Sequence, residues 1–203
     1  MGKLNLIQGK WEGKVGQTVG AKWKNLATLR SYAIPSNPKT QAQETVRTVF
    51  KDMTSFVALF ADQIKYLTSL NTRGMSVRNA IIKANSEQIT AGTFSKDTLV
   101  INKGGLPNAT GVTATATAAA ATVRFTRPVA TNLTDKAEIV VVVVDGTNKI
   151  AGVGKAALTE TSVQVNVALQ DGVQSDVYYW VIDYRGSARV GSYSGHTTVT
   201  YTA

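Results

Sequence analysis

"EIVVVVVDG", residues 138–146, carries an unbroken apolar run of six residues, all of them β-branched, and the fold turns on how it is read. The run from Ile139 to Val144 falls far short of the roughly 20 residues a membrane helix needs. Its β-branched side chains favour extended backbone, so it reads as a buried strand, and Asp145-Gly146 supplies the turn that ends it. Around it the apolar period stays at two. Further strands are expected at 98–102, 112–118, 122–126, 162–169, 177–184 and 196–201. Turn signals at Gly104-Gly105, Pro128, Asp171-Gly172 and Arg185-Gly186 separate them. Short strands in this number, without a helical interruption, describe a β-sandwich of immunoglobulin-like type over residues 106–203. Trp180 in "VYYWVIDY" is its expected core aromatic, and the low-complexity "ATATAAAAT" (114–122) an edge strand.

Upstream the period changes. Pro35 and Pro38 in "IPSNPKTQAQETVRTVF" (34–50) hold the residues before them extended. Thr40 then fits an N-cap, with Gln43 completing a capping box. Val46, Val49, Phe50, Met53, Val57 and Phe60 follow at steps of three and four, the stripe of one helix. A second helical segment is expected at 61–70 and a third at 76–85, with "NTRG" (71–74) between them. The first thirty-odd residues differ again. Val15, Val19, Ala21 and Trp23, then Leu26, Leu29, Tyr32 and Ile34, alternate with polar residues on either side of Lys24-Asn25. A glycine-rich β-hairpin or arm results, and Gly13, Gly16 and Gly20 within it call for another backbone close by. The fold class is therefore α+β in three parts: a basic arm over 1–36, a helical unit over 37–105 and the sandwich over 106–203.

Charge divides the chain in the same sense. Residues 1–105 hold 15 Lys and Arg against 6 Asp and Glu, a net of +9, and residues 106–203 hold 7 of each. Cysteine is absent, which excludes disulfides, thiolate zinc sites and cysteine nucleophiles, and fits a reducing compartment. Lys3 is followed by no long apolar core, so neither a signal peptide nor a membrane partner is expected.

Little here supports catalysis. The one histidine, His196, lies on an alternating strand and reads as solvent-facing, and no G-x-S-x-G elbow occurs. Asp171, Asp176 and Asp183 lack calcium-loop spacing and read as solvated carboxylates, so no metal or other cofactor is expected. "GKVGQTVG" (13–20) matches neither glycine-rich phosphate motif and lies inside an alternating pattern, not between a strand and a helix. The arm remains. Its first thirty residues hold Lys3, Lys10, Lys14, Lys22, Lys24 and Arg30 against Glu12 alone, with Trp11 and Trp23 among them. Such a mixture serves subunit contact, since tryptophan and long basic stems cover area, or a nucleic-acid strand, by charge neutralisation and stacking.

"GKVGQTVGAKWKNLATLRSY" (13–32), "NPKTQAQETVR" (37–47), "DTLVINKGGLPNATG" (97–111) and "DVYYWVIDYRGSARVGSYSG" (176–195) together resemble a family of small proteins encoded by phages and prophages of Bacteroidota. Asn25 and Gln41 stand where that family usually has glycine and proline, departures that leave the turn and the N-cap intact. The family brings no known activity, so no catalytic residue carries over. The resemblance implies a virion component assembled in the host cytoplasm, with an immunoglobulin-like C-terminal domain. The expectation is a non-enzymatic structural protein, homo-oligomeric or bound to other virion proteins. Its contact surface is drawn from Lys14, Val15, Val19, Lys22, Trp23, Lys24, Leu29, Arg30 and Tyr32. Nucleic-acid binding through the same arm is the alternative. An adhesin working through Tyr178, Tyr179, Tyr184 and Tyr193 of the sandwich is a third reading.

Overall fold

The computed structural model describes residues 3–5, 10–23, 26–34, 39–70, 72, 74–129 and 133–203, with backbone alone at 3–5, 10–12, 15, 22, 23, 26 and 27. The chain is an α+β protein, mostly strand with a few helices, and divides into two compact units, Met1–Thr40 and Gln41–Ala203.

In the first unit β1 (Lys3–Asn5), β2 (Lys10–Val15), β3 (Thr18–Trp23) and β4 (Leu26–Ser31) form an antiparallel meander in chain order. The expected hairpin is its β3–β4 half: Trp23 pairs with Leu26, so Lys24-Asn25 is the connection, itself outside the described residues. A second two-residue connection joins Val15 to Thr18, and its Gly16 takes φ +59°, which a side chain disfavours. Gly13 pairs with Gly20 across β2 and β3, so the close backbone those glycines call for comes first from the arm itself.

The second unit opens with α1 (Gln41–Ala58), directly after Thr40. Val49, Met53, Phe56 and Val57 form its buried face, while Val46 and Phe50 near its start stay exposed. The helix expected at 61–70 is a run of separate turns, such as Ile64 N–H to the Phe60 carbonyl (3.2 Å) and Leu67 N–H to that of Ile64 (2.9 Å). Its end is taken up by other partners: the Trp180 indole donates to the Leu67 carbonyl (2.7 Å) and the Ser69 N–H to Asn102 Oδ1 (2.7 Å). α2 (Val77–Ala84) starts where Ser76 accepts from the Asn79 N–H, and α3 (Ser86–Ala91) follows after Asn85. No strand forms at 98–102. Side chains replace its ladder: Asn85 binds both the N–H and the carbonyl of Val100, and Ser194 Oγ accepts from the Ile101 N–H.

Two sheets follow. In the three-stranded one β6 (Ala120–Thr126) lies between β5 (Thr110–Ala116) and β9 (Ser162–Asn166). In the five-stranded one the 12-residue β10 (Gln174–Arg185) pairs with β7 (Glu138–Asp145), which pairs with β8 (Ile150–Ala157). The other edge of β10 is shared end to end by β12 (Gly195–Thr200) and β11 (Ala188–Gly191). β8 reads poorly in sequence because Gly152 and Gly154 interrupt it. Their bareness serves packing: a Cβ on Gly154 would lie 2.9 Å from the Gln164 carbonyl oxygen of β9.

β7 and β10 decide the architecture. Ile139, Val141, Val143, Val177 and Val181 point into a core shared with Val123, Phe125, Val163 and Val165 of the three-stranded sheet. Val140, Val142, Val144, Tyr178, Trp180 and Ile182 point the other way, into a core shared with Met53, Phe60, Ile64, Ile81, Leu99 and Ile101. The five-stranded sheet is therefore covered on both faces, which is why its central strand is an unbroken apolar run. Residue 105, anticipated as a domain boundary, divides nothing in the packing. The helices lack enough apolar surface among themselves and complete their core on the sheet.

Candidate functional site

The residues proposed for contact divide between the faces of the first unit's sheet. Lys14 on β2, Val19 on β3 and Arg30 on β4 stand in one cross-strand row, since Val19 pairs with both of the others. Partners in register share a face. Lys14 and Arg30 are exposed and Val19 is half-buried. Tyr32, two residues beyond Arg30, joins them: Lys14 Nζ sits 3.6 Å from its ring centre, and its N–H donates to the Gln17 carbonyl (2.6 Å). Tyr32 as a whole remains 44% exposed. One row along, Gly13, Gly20 and Leu29 are in register, and Leu29 is 61% exposed. Alternation puts that row on the opposite face. Val15, Lys22 and Trp23 hold positions opposite Thr18, Ala27 and Leu26; their side chains, and Lys24 altogether, lie outside the described residues.

One face thus gathers two cations and an aromatic ring, and the other a leucine beside two glycines. Residues 1–40 carry 7 Lys and Arg against Glu12 alone, a net of +6, whereas residues 41–203 carry 15 against 12. Most of the basic excess of the protein belongs to this unit.

A second cluster leaves no trace in the sequence pattern. His196 on β12 is not solvent-facing; its side chain is 10% exposed and held between two carboxylates. Nδ1 lies 3.1 Å from Asp97 Oδ1 and Nε2 lies 3.1 Å from Asp176 Oδ1. Lys96 Nζ meets the other Asp176 oxygen at 2.9 Å. Asp176 is itself buried. Burial pushes its pKa up, but the hydrogen bonds from His196 and Lys96 outweigh this and hold it below the usual carboxylate value. Tyr178 stacks obliquely on the imidazole, and burial pushes its own pKa up. With both ring nitrogens engaged by carboxylates, His196 has none left to activate a nucleophile. The cluster fastens the 93–102 segment to β10 and β12.

The other two aspartates read as solvated also find partners. Asp183 is fully buried and accepts from the Thr134 hydroxyl and from Arg185 Nε (3.0 Å). Burial raises its pKa, and those two bonds bring it below the usual value. Asp171 is exposed and accepts from the Ala203 N–H (2.8 Å). Of the tyrosines considered for receptor binding, Tyr178 is fully buried, Tyr179 and Tyr184 are half-buried and Tyr193 is exposed. Among the described residues no group of three or more His, Asp or Glu is placed to hold a metal, and no helix is long and apolar enough to cross a membrane.

The chain matches no family model and no curated protein.

Proposed function

We propose that this is a non-enzymatic structural protein that anchors itself to a larger assembly through residues 1–40 and presents residues 41–203 outward. One observation carries the reading. The described strands of the first unit make one sheet, which leaves Leu29 61% exposed on the face opposite Lys14 and Arg30. A sheet of this kind needs a second layer on its apolar face before it is stable. A neighbouring molecule supplies that layer, seated against the exposed Leu29. The resemblance to phage-encoded proteins favours a virion as the assembly. The order β5-β6-β9 against β12-β10-β7-β8, with a common apolar filling, favours an immunoglobulin-like sandwich as the displayed part, here with helices on its outer face.

Sedimentation of the full chain and of one lacking residues 1–34 tests this. The full chain forms a discrete oligomer or co-assembles with its virion partners; the shortened one stays folded and monomeric. A shortened chain that assembles as the full one does overturns the proposal.

A further inference from the structure

We infer that the cationic face of the first unit binds a single strand of nucleic acid. This deepens the reading above, since it takes residues 1–40 as the contacting unit and assigns a partner to the face that Leu29 does not occupy. Three observations converge on it. Lys14 and Arg30 flank Val19 in one row, so two exposed cations stand about two strand spacings apart, roughly 10 Å, on one face of the sheet. Tyr32 lies beside them, 44% exposed as a residue, with Lys14 Nζ over one face of its ring, 3.6 Å from the centre. The unit as a whole carries a net of +6 with Glu12 its one acidic residue.

Charge selects the occupant. A second copy is a poor match for this face, because its residues 1–40 are equally basic and its residues 41–203 carry a net of +3. A polyanion is a good one. Among polyanions the tyrosine ring prefers a single strand, whose unpaired bases can stack on the ring face that Lys14 does not cover while phosphates meet the ammonium and guanidinium groups. Duplex bases are stacked on one another and leave the ring nothing to meet. The contacts are to backbone and base faces, so sequence preference is weak and salt dependence strong.

The test is fluorescence anisotropy of the full-length protein with labelled oligothymidine and oligouridine of about 20 nucleotides, titrated between roughly 50 and 200 mM salt. The single strands bind, and affinity falls steeply across that range. Lys14→Ala and Arg30→Ala each flatten the log–log salt slope by about 0.7. Tyr32→Ala costs about tenfold without changing the slope, and Tyr32→Phe restores the affinity. Replacing two cations elsewhere, Lys51→Ala with Lys136→Ala, leaves binding within about twofold. Failure to bind at the lowest salt overturns the inference. So does equal affinity for a duplex of the same length, or indifference to Tyr32→Ala, either of which marks general polyanion attraction. Tighter binding to polyglutamate than to the strands overturns it in favour of an acidic protein surface. If the strands do not bind but removal of residues 1–34 still abolishes assembly, the anchoring role stands and this inference alone falls.

Discussion

At the scale of the residue, His196 shows how far a side chain can depart from its apparent setting. On sequence it is an alternating-strand histidine near the C-terminus; in the fold it bridges Asp97 and Asp176, residues 79 positions apart in the chain. His196→Ala leaves the buried Asp176 with Lys96 alone and opens a cavity against Tyr178. Urea unfolding should show a loss of about 1–3 kcal/mol, the cost of stripping one partner from a buried polar group. An unchanged midpoint would show that water replaces the imidazole at no cost. The same network makes an acid-pH prediction. Because the folded pKa of Asp176 is depressed, its contribution is fully present above the ordinary carboxylate value and is lost as the pH falls through the lower folded one. Asp183 adds to the loss with the same sign. The urea midpoint should therefore drop between about pH 5 and pH 2, and less so in Asp176→Asn. A drop of equal size in that variant would assign the acid sensitivity elsewhere.

At the scale of the element, β7 is the strand to probe. In a sheet with one solvated face, adjacent valines differ sharply in what they tolerate. Here Val141 faces the three-stranded sheet and Val142 the helices, and both are fully buried. Val141→Thr and Val142→Thr should each cost about 1–3 kcal/mol, since either hydroxyl enters an apolar core without a partner. A tolerated Val142→Thr, read by thermal unfolding, would mean that the helical layer is not closed over the sheet. β8 makes the complementary case. Gly154→Ala would place a methyl against the Gln164 carbonyl and the Val163 and Val165 side chains at 2.9 Å. Overpacking of that kind costs about 1–3 kcal/mol. Gly186, with open space around it but φ +62°, should show strain without a packing term.

At the scale of the whole molecule, the shared core gives the strongest forecast. Residues 41–203 should unfold in one cooperative transition, because the helices and the five-stranded sheet bury the same side chains. A fragment beginning at residue 106 should not fold alone. It would expose Val140, Val142, Val144, Tyr178, Trp180 and Ile182 as one apolar face, and burying each such side chain is worth about 1.5–3 kcal/mol. A well-dispersed NMR spectrum from that fragment would contradict the three-layer account.

Much of this architecture is legible in the amino-acid sequence. The period of α1, the Ser76-led α2, the strands at 122–126, 138–144 and 177–184 and the Trp23–Leu26 turn all follow from local rules: spacing, caps and turn chemistry act within a few residues. The row of Lys14, Val19 and Arg30 depends on strand register, which local composition does not specify. The strand expected at 98–102 does not form because Asn85 and Ser194 supply its hydrogen bonds from afar. β8 escapes a reading by pattern because the glycines that admit β9 look like breaks.

By itself the sequence determined the segments whose period or turns are local, such as α1, β7 and the β3–β4 hairpin, that charge concentrates at the N-terminal end, and that thiol chemistry is excluded. Only the tertiary structure decided that the helices close over the sheet, that His196 is enclosed by two carboxylates, and that two cations and a tyrosine share one face of the arm. Periodicity records that a side chain is buried, not which distant element buries it, and that choice is made when the layers meet.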